Sequence, residues 1–236
     1  MDNILDVSFL LHDAASDFFA RHFFVIKRML LILAHLSLFG FLFPGIRKDL
    51  GNISVFLLFV ILFISPLSKI FRMRLLLQVM SVRRELGIWM AYVATVHGVG
   101  YLLDPLWLSQ NIVPYWNASF FSIDTRYILG IAAYTLTLPL LFTSNTLSIK
   151  FFGPKAWKRL HSMAYPLFLL VLFHFFLRTG RADNFGIISV LAVFSGYIFL
   201  KVLARKNFIS PLRGGIAFIS DRYKAFVFRK RAPLSS

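Results

Sequence analysis

The sequence predicts an all-α, polytopic membrane protein with a bundle of six transmembrane helices. Three observations lead there. Hydrophobic residues make up 58% of the 236 positions and charged residues 15%, with a mean hydropathy of +0.73, whereas soluble domains are nearer a quarter charged. The apolar residues are gathered into six runs. The 26 Lys and Arg residues, against 10 Asp and Glu, sit between those runs and in the tail. No regular alternation points to a barrel, which leaves helices as the spanning element.

The runs are 29–43, 53–67, 86–103, 127–142, 160–177 and 185–200. Several fall short of the about 20 residues that cross a bilayer core. Snorkelling Lys and Arg, tilt or local thinning would cover the difference. The first run follows Lys27 and Arg28 and contains His35. The second is the weakest, ending at Ser65–Pro66. The third opens behind Arg83 and Arg84 and contains His97. The fourth follows Arg126. The fifth starts at a cluster of Lys155, Lys158 and Arg159, with His161 near its beginning and His174 deep inside. The sixth leads into a basic tail. Before the first run, residues 1–21 carry four aspartates and no signal-peptide pattern; an interfacial helix and a partly ordered tail both fit them. The expected organisation is an N-terminal cytoplasmic or interfacial segment (1–27), a six-helix membrane domain (28–203) and a basic cytoplasmic tail (204–236).

The net charge of +16 could suggest nucleic acid, but its placement is that of a topology signal. With the N-terminus inside, the inner segments collect most of the basic residues. The outer ones hold Arg47, Lys48, Arg126, Arg178 and Arg181. Both termini are therefore expected in the cytoplasm. The tail alternates bases with aromatics, suiting anionic lipid or a cytosolic donor. The absence of cysteine excludes disulfides, thiolate catalysis and iron–sulfur clusters.

Histidine carries the remaining chemistry. Four of the six histidines, His35, His97, His161 and His174, lie within or at the edge of apolar runs. Polar groups at membrane depth are costly, and neutral imidazole is an axial ligand of heme iron. The third and fifth runs point the same way, and depth pairs His97 with His174. His161 is thirteen residues, about 20 Å of helix, from His174. That would suit a second, inner heme. The inner level is then left with one protein ligand, a partner of another kind, or no heme. Thirteen residues are not a whole number of turns, so His161 and His174 share a face only if Pro166 distorts the helix. Unconnected polar packing is the plain alternative. Arg83, Arg84, Lys158 and Arg159 at the cytoplasmic rim read as topology setters or as contacts to a propionate or flavin phosphate. Trp89, Trp107, Trp116 and Trp157 fit interfacial belts.

Several segments, in order, resemble the ferric reductase-like transmembrane family. They are LILAHLSLFGFLF around His35, ISPLSK (64–69), RRELGIW (83–89), ATVH ending at His97, YILG (127–130), FTSNT (142–146), WKRLH ending at His161, Tyr165 and His174. The likeness is nearest to the family's bacterial heme-binding subunits of protein-methionine-sulfoxide reductase systems. It implies a b-type heme bundle, with one or two hemes and with His97, His161 and His174 at the ligand positions. His35, Arg83, Arg84, Trp157 and Arg159 become further cofactor contacts, to heme or to a cytoplasmic FMN. The implied role, in the bacterial inner membrane, is electron transfer from a cytoplasmic flavin reductase or quinol to a periplasmic molybdenum-containing catalytic subunit. Larger members fuse on a flavin and nicotinamide domain that is not visible here; they also carry a second histidine where this chain has Arg84. The rival readings are a stand-alone ferric or cupric reductase of the same fold and a cofactor-free transporter or scaffold.

Overall fold

The computed structural model describes residues 2–116, 124–178 and 184–205, and among the described residues there is no strand. The helices in order are α1 (Asp2–Arg21), α2 (Phe23–Ser37), α3 (Arg47–Phe71), α4 (Arg74–Ser81), α5 (Arg83–Leu102), α6 (Pro105–Asn111), α7 (Val113–Trp116), α8 (Thr125–Phe142), α9 (Thr146–His161), α10 (Ala164–Arg178) and α11 (Asn184–Arg205). Two short 3-10 turns, Leu38–Leu42 and Pro44–Ile46, join α2 to α3. The outer-loop aromatics Phe120 and Phe121 and the basic tail lie outside the described residues.

Among the described residues five helical stretches are long and apolar enough to cross a membrane unaided: Phe23–Leu42, Pro44–Phe71, Thr125–Phe142, Thr146–Arg178 and Ile187–Arg205. The sixth is the α5–α6 pair, bent by 72° at its break. All six expected runs are therefore helical, with three differences from the sequence reading. The second run is not the weakest. It belongs to a 25-residue helix that passes through Pro66 to Phe71. The third span fails the simple hydropathy test because α5 faces protein. Its buried set runs Glu85, Leu86, Met90, Ala91, Val93, Val96 and Gly100, so it can carry groups that lipid would reject.

The fifth run is two helices. His161 ends α9 and His174 lies on α10, with the break at Ser162–Met163. Pro166 sits in the first turn of α10, where its missing N–H costs little, instead of bending a continuous helix. A second kink within α9 falls at Gly153, whose φ of 75° favours glycine, followed by Pro154.

The chain forms two compact units. One comprises residues 24–62 and 82–196. In it α8 packs against α10 and α5. Phe59 of α3 meets Phe168 of α10 edge-on at 5.2 Å, and Phe168 meets Phe194 of α11 at 6.0 Å. The other comprises, among the described residues, 2–23, 63–81 and 197–205. There α1 is an ordered helix against α4. Arg74 pairs with Asp17 at 2.8 Å, and the Gln78 amide donates to the Ser16 carbonyl at 3.0 Å. Phe63 and Tyr197 lie 5.2 Å apart in the same unit.

Glu85, at the start of α5, is 1% exposed and is the most deeply buried charged side chain among the described residues. Lys27 approaches it at 3.5 Å and Arg84 at 3.0 Å, while its Oε2 has no hydrogen-bond partner among the described residues. A buried carboxylate stripped of a cation costs more than a neutral one in the same place. Lys27→Met should therefore destabilise the protein by about 1–3 kcal/mol and Glu85→Gln by less. Thermal unfolding midpoints in detergent measure the difference.

Candidate functional site

α3, α5, α8 and α10 wall a cavity of about 310 Å³, and His97 and His174 face each other across it. Their ring centres are 6.3 Å apart and their planes cross at 71°. Each imidazole is held the same way. His97 Nδ1 lies 2.8 Å from the carbonyl oxygen of Arg47, in the first turn of α3. His174 Nδ1 lies 2.7 Å from the carbonyl oxygen of Arg126, in the first turn of α8. A carbonyl only accepts, so Nδ1 carries the proton in both rings, and in the neutral imidazole Nε2 keeps its lone pair. This is how a metal-binding histidine is oriented by its surroundings.

Four residues after each arginine the helix offers a glycine, Gly51 on α3 and Gly130 on α8. A Cβ on Gly51 would come within 2.6 Å of His97 Nδ1, and one on Gly130 within 3.0 Å of His174 Cε1. The two cradles share one pattern, an arginine carbonyl for the hydrogen bond and a glycine one turn on to admit the ring. Each arginine side chain is held by an aspartate. Arg47 Nη1 bonds Asp104 at 2.9 Å, and Arg126 bonds Asp124 through Nε at 2.9 Å and Nη2 at 2.6 Å. Asp124 also caps α8 through the Arg126 backbone N–H. Those hydrogen bonds, the side-chain one first, hold its carboxyl below the usual carboxylate range.

The cavity is divided by polarity along the helix axes. Leu58, Met90, Thr137 and Leu167 lie seven residues, about 10 Å, inward of Gly51, His97, Gly130 and His174. The Thr137 hydroxyl is satisfied by the Ala133 carbonyl, so this end presents an apolar wall. The other end has Tyr101, Trp107, Arg126, Tyr127 and Arg178. From His97, Tyr101, Trp107 and Tyr127 follow in ring contact at 5.4, 5.4 and 5.0 Å.

The other sequence candidates do not line this cavity. His161 stacks on Trp157 at 4.0 Å. Its Nε2 lies 3.1 Å from Thr143 Oγ1, whose own proton goes to the Pro139 carbonyl at 2.6 Å. Nε2 must therefore be the donor. Trp157 Nε1 donates to the Thr143 carbonyl at 2.9 Å. His35 bonds the Leu31 carbonyl one turn back at 2.7 Å and is exposed. Arg83 and Arg84 start α5 at the end away from the pair; Arg84 is engaged by Glu85, and Arg159 is exposed. Sequence reasoning missed the cradle residues Gly51 and Gly130 and the placement of Arg126 and Arg178. The signal available for the cradle was the repeated R-x-x-x-G at 47–51 and 126–130.

Among the described residues no group of three or more His, Cys, Asp or Glu could hold a metal ion alone. Two imidazoles supply two opposed positions and no more, so a metal held here must bring its remaining ligands. A porphyrin-bound iron does that. Two metal–imidazole bonds take up about 4 Å, and the two ring radii fill the rest of the 6.3 Å between centres. The donor set, the glycine cradles and the apolar walls fit a heme.

The sequence profile of the family described as ferric reductase like transmembrane component matches residues 50–172. It takes in His97 and His161 and ends just before His174. The chain is 30% identical over 160 residues to the protein-methionine-sulfoxide reductase heme-binding subunit MsrQ of Azospira oryzae, covering 65% of this chain and 64% of that protein. It is 31% identical over 156 residues to the MsrQ of Xanthomonas axonopodis pv. citri, at 64% and 67% coverage. It is 29% identical over 148 residues to the magnetosome protein MamZ of Magnetospirillum gryphiswaldense, at 63% of this chain and 22% of that protein. The chain thus spans about two thirds of the MsrQ proteins and about a fifth of MamZ. No solved structure matches it.

Gly51→Ala should push His97 off the Arg47 carbonyl and destabilise the protein by about 1–3 kcal/mol, more than Gly130→Ala, by thermal unfolding. Asp124 contributes stability that is present above about pH 3.9 and lost as pH falls through its lower folded value. The acid dependence of unfolding should flatten in Asp124→Asn and weaken in high salt.

Proposed function

The chain belongs to the ferric reductase-like transmembrane family, and from that membership we propose that it is a b-type heme electron-transfer subunit of a membrane oxidoreductase system. One observation supports this above the others. His97 and His174, from separate helices, each have Nδ1–H committed to a backbone carbonyl, which leaves each Nε2 with its lone pair, and their ring centres lie 6.3 Å apart on one cavity.

When bound, the heme would supply one-electron ferric/ferrous chemistry. The residues do the rest. His97 and His174 would hold the iron through their free Nε2 atoms, and an iron held by two histidines would offer oxygen no coordination site. The Arg47 and Arg126 carbonyls keep both rings in the ligating tautomer and raise their basicity. Leu58, Met90, Leu167 and Val171 keep water from the cavity's inner end, and low polarity there tunes the potential.

The orientation drawn from the basic residues, N-terminus inside, puts this site near the outer face of a bacterial inner membrane. The proposed acceptor is accordingly a periplasmic, molybdenum-containing reductase that repairs methionine sulfoxide in proteins; the names of the MsrQ relatives support the protein-methionine-sulfoxide reductase part of that proposal. The proposed donor is a cytoplasmic flavin reductase or membrane quinol. Arg83 and Arg84 at the start of α5 and Trp157, Arg159 and His161 at the end of α9 are the residues that would hold an anionic flavin such as FMN, which would supply electrons when bound. A stand-alone ferric or cupric reductase would use the same heme with a different acceptor.

Absorption spectra of the purified protein, oxidised and dithionite-reduced, with pyridine quantification, test the reading. The expected result is a low-spin b-type spectrum with one heme per chain, lost in His97→Ala and in His174→Ala and kept in His35→Ala and His161→Ala. Wild-type protein from heme-replete cells that is colourless contradicts it.

A further inference from the structure

Among the described residues that line the cavity two are cationic, Arg126 and Arg178, and none is acidic. The Arg126 guanidinium is engaged by Asp124. Arg178 has no ion pair or side-chain hydrogen bond among the described residues. It stands one turn beyond His174 at the end of α10, within electrostatic reach of both imidazoles. A cation facing a membrane cavity is costly unless an anion answers it. The lining residues provide none, so the ligand must.

The opposite end of the cavity is set up for the reverse. Two helical turns inward of the histidines the walls are Leu58, Met90 and Leu167, with the Thr137 hydroxyl already bonded to its own helix. A ligand matched to this cavity is amphipathic, with an anionic edge at the Arg178 end and an apolar edge inward. Heme is such a molecule, with two propionates on one edge and vinyl and methyl groups on the other.

We propose that Arg178 anchors a heme propionate and so sets the direction of the macrocycle, carboxylates toward the ends of α5 and α10 where Tyr101 and Arg126 lie, vinyl edge toward the membrane interior. This rests on the heme reading above. The flipped orientation would press two carboxylates against Leu58, Met90 and Leu167 and leave Arg178 unanswered. Guanidinium suits the task because its fork can take a carboxylate with two parallel hydrogen bonds.

The test is a binding titration of the full chain, purified in detergent from heme-deficient cells, with heme and with heme dimethyl ester. The ester keeps the iron and the apolar edge and loses both negative charges. Wild type should favour heme over its ester by about tenfold to a hundredfold. Arg178→Ala should lose most of that preference while binding the ester as wild type does, and Arg178→Lys should recover part of it. Ester binding by wild type that equals heme binding overturns the proposal. So does Arg178→Ala protein that keeps the full preference. Wild type that binds neither porphyrin contradicts the heme reading itself, and this inference with it.

Discussion

Two hydrogen bonds from imidazole Nδ1–H groups to backbone carbonyls organise the site, and much of the surrounding structure serves them. Each acceptor is the carbonyl of an arginine in the first turn of a spanning helix, Arg47 on α3 and Arg126 on α8. The helix must begin at that level for the carbonyl to be in place. Asp124 caps α8 there, and Asp104 caps α6 while holding the Arg47 side chain. The glycine one turn further on must be bare for the ring to approach. Caps, ion pairs and glycines thus converge on one outcome, two imidazoles of fixed tautomer pointed into one cavity.

The bilayer explains why such an arrangement is placed on α5 and α10. Lipid-facing helices can be almost wholly apolar, whereas a helix that carries ligands must turn them toward protein. α5 does this along its length, burying Glu85 at one end and placing His97 in the cavity near the other. The exposed large side chains elsewhere, Phe24, Phe56 and Ile188 among them, are what a lipid-facing surface requires and would be anomalous in water.

Much of this was legible in the sequence. The clustering of apolar residues marks every span, because no soluble core of this size could hide them. Depth along two like-directed runs places His97 with His174, and the structure brings the two rings to 6.3 Å. What was not legible depended on breaks and on backbone acceptors. Residues 160–177 read as one apolar run because a helix break at Ser162–Met163 changes no hydropathy. Its consequence is that His161 turns to Thr143 and Trp157 instead of the cavity. Arg126 and Arg178 carry the same charge as any topology-setting base, and only their position on the cavity wall separates them. The R-x-x-x-G pattern is too short to stand out without the ring that sits on it.

In the proposed function His97 and His174 together hold one iron. Electron–nuclear double resonance on the ferric protein, grown with 15N-histidine, reads it directly. The expected result is a low-spin iron coupled to two histidine nitrogens. An iron coupled to one histidine or to none would contradict it.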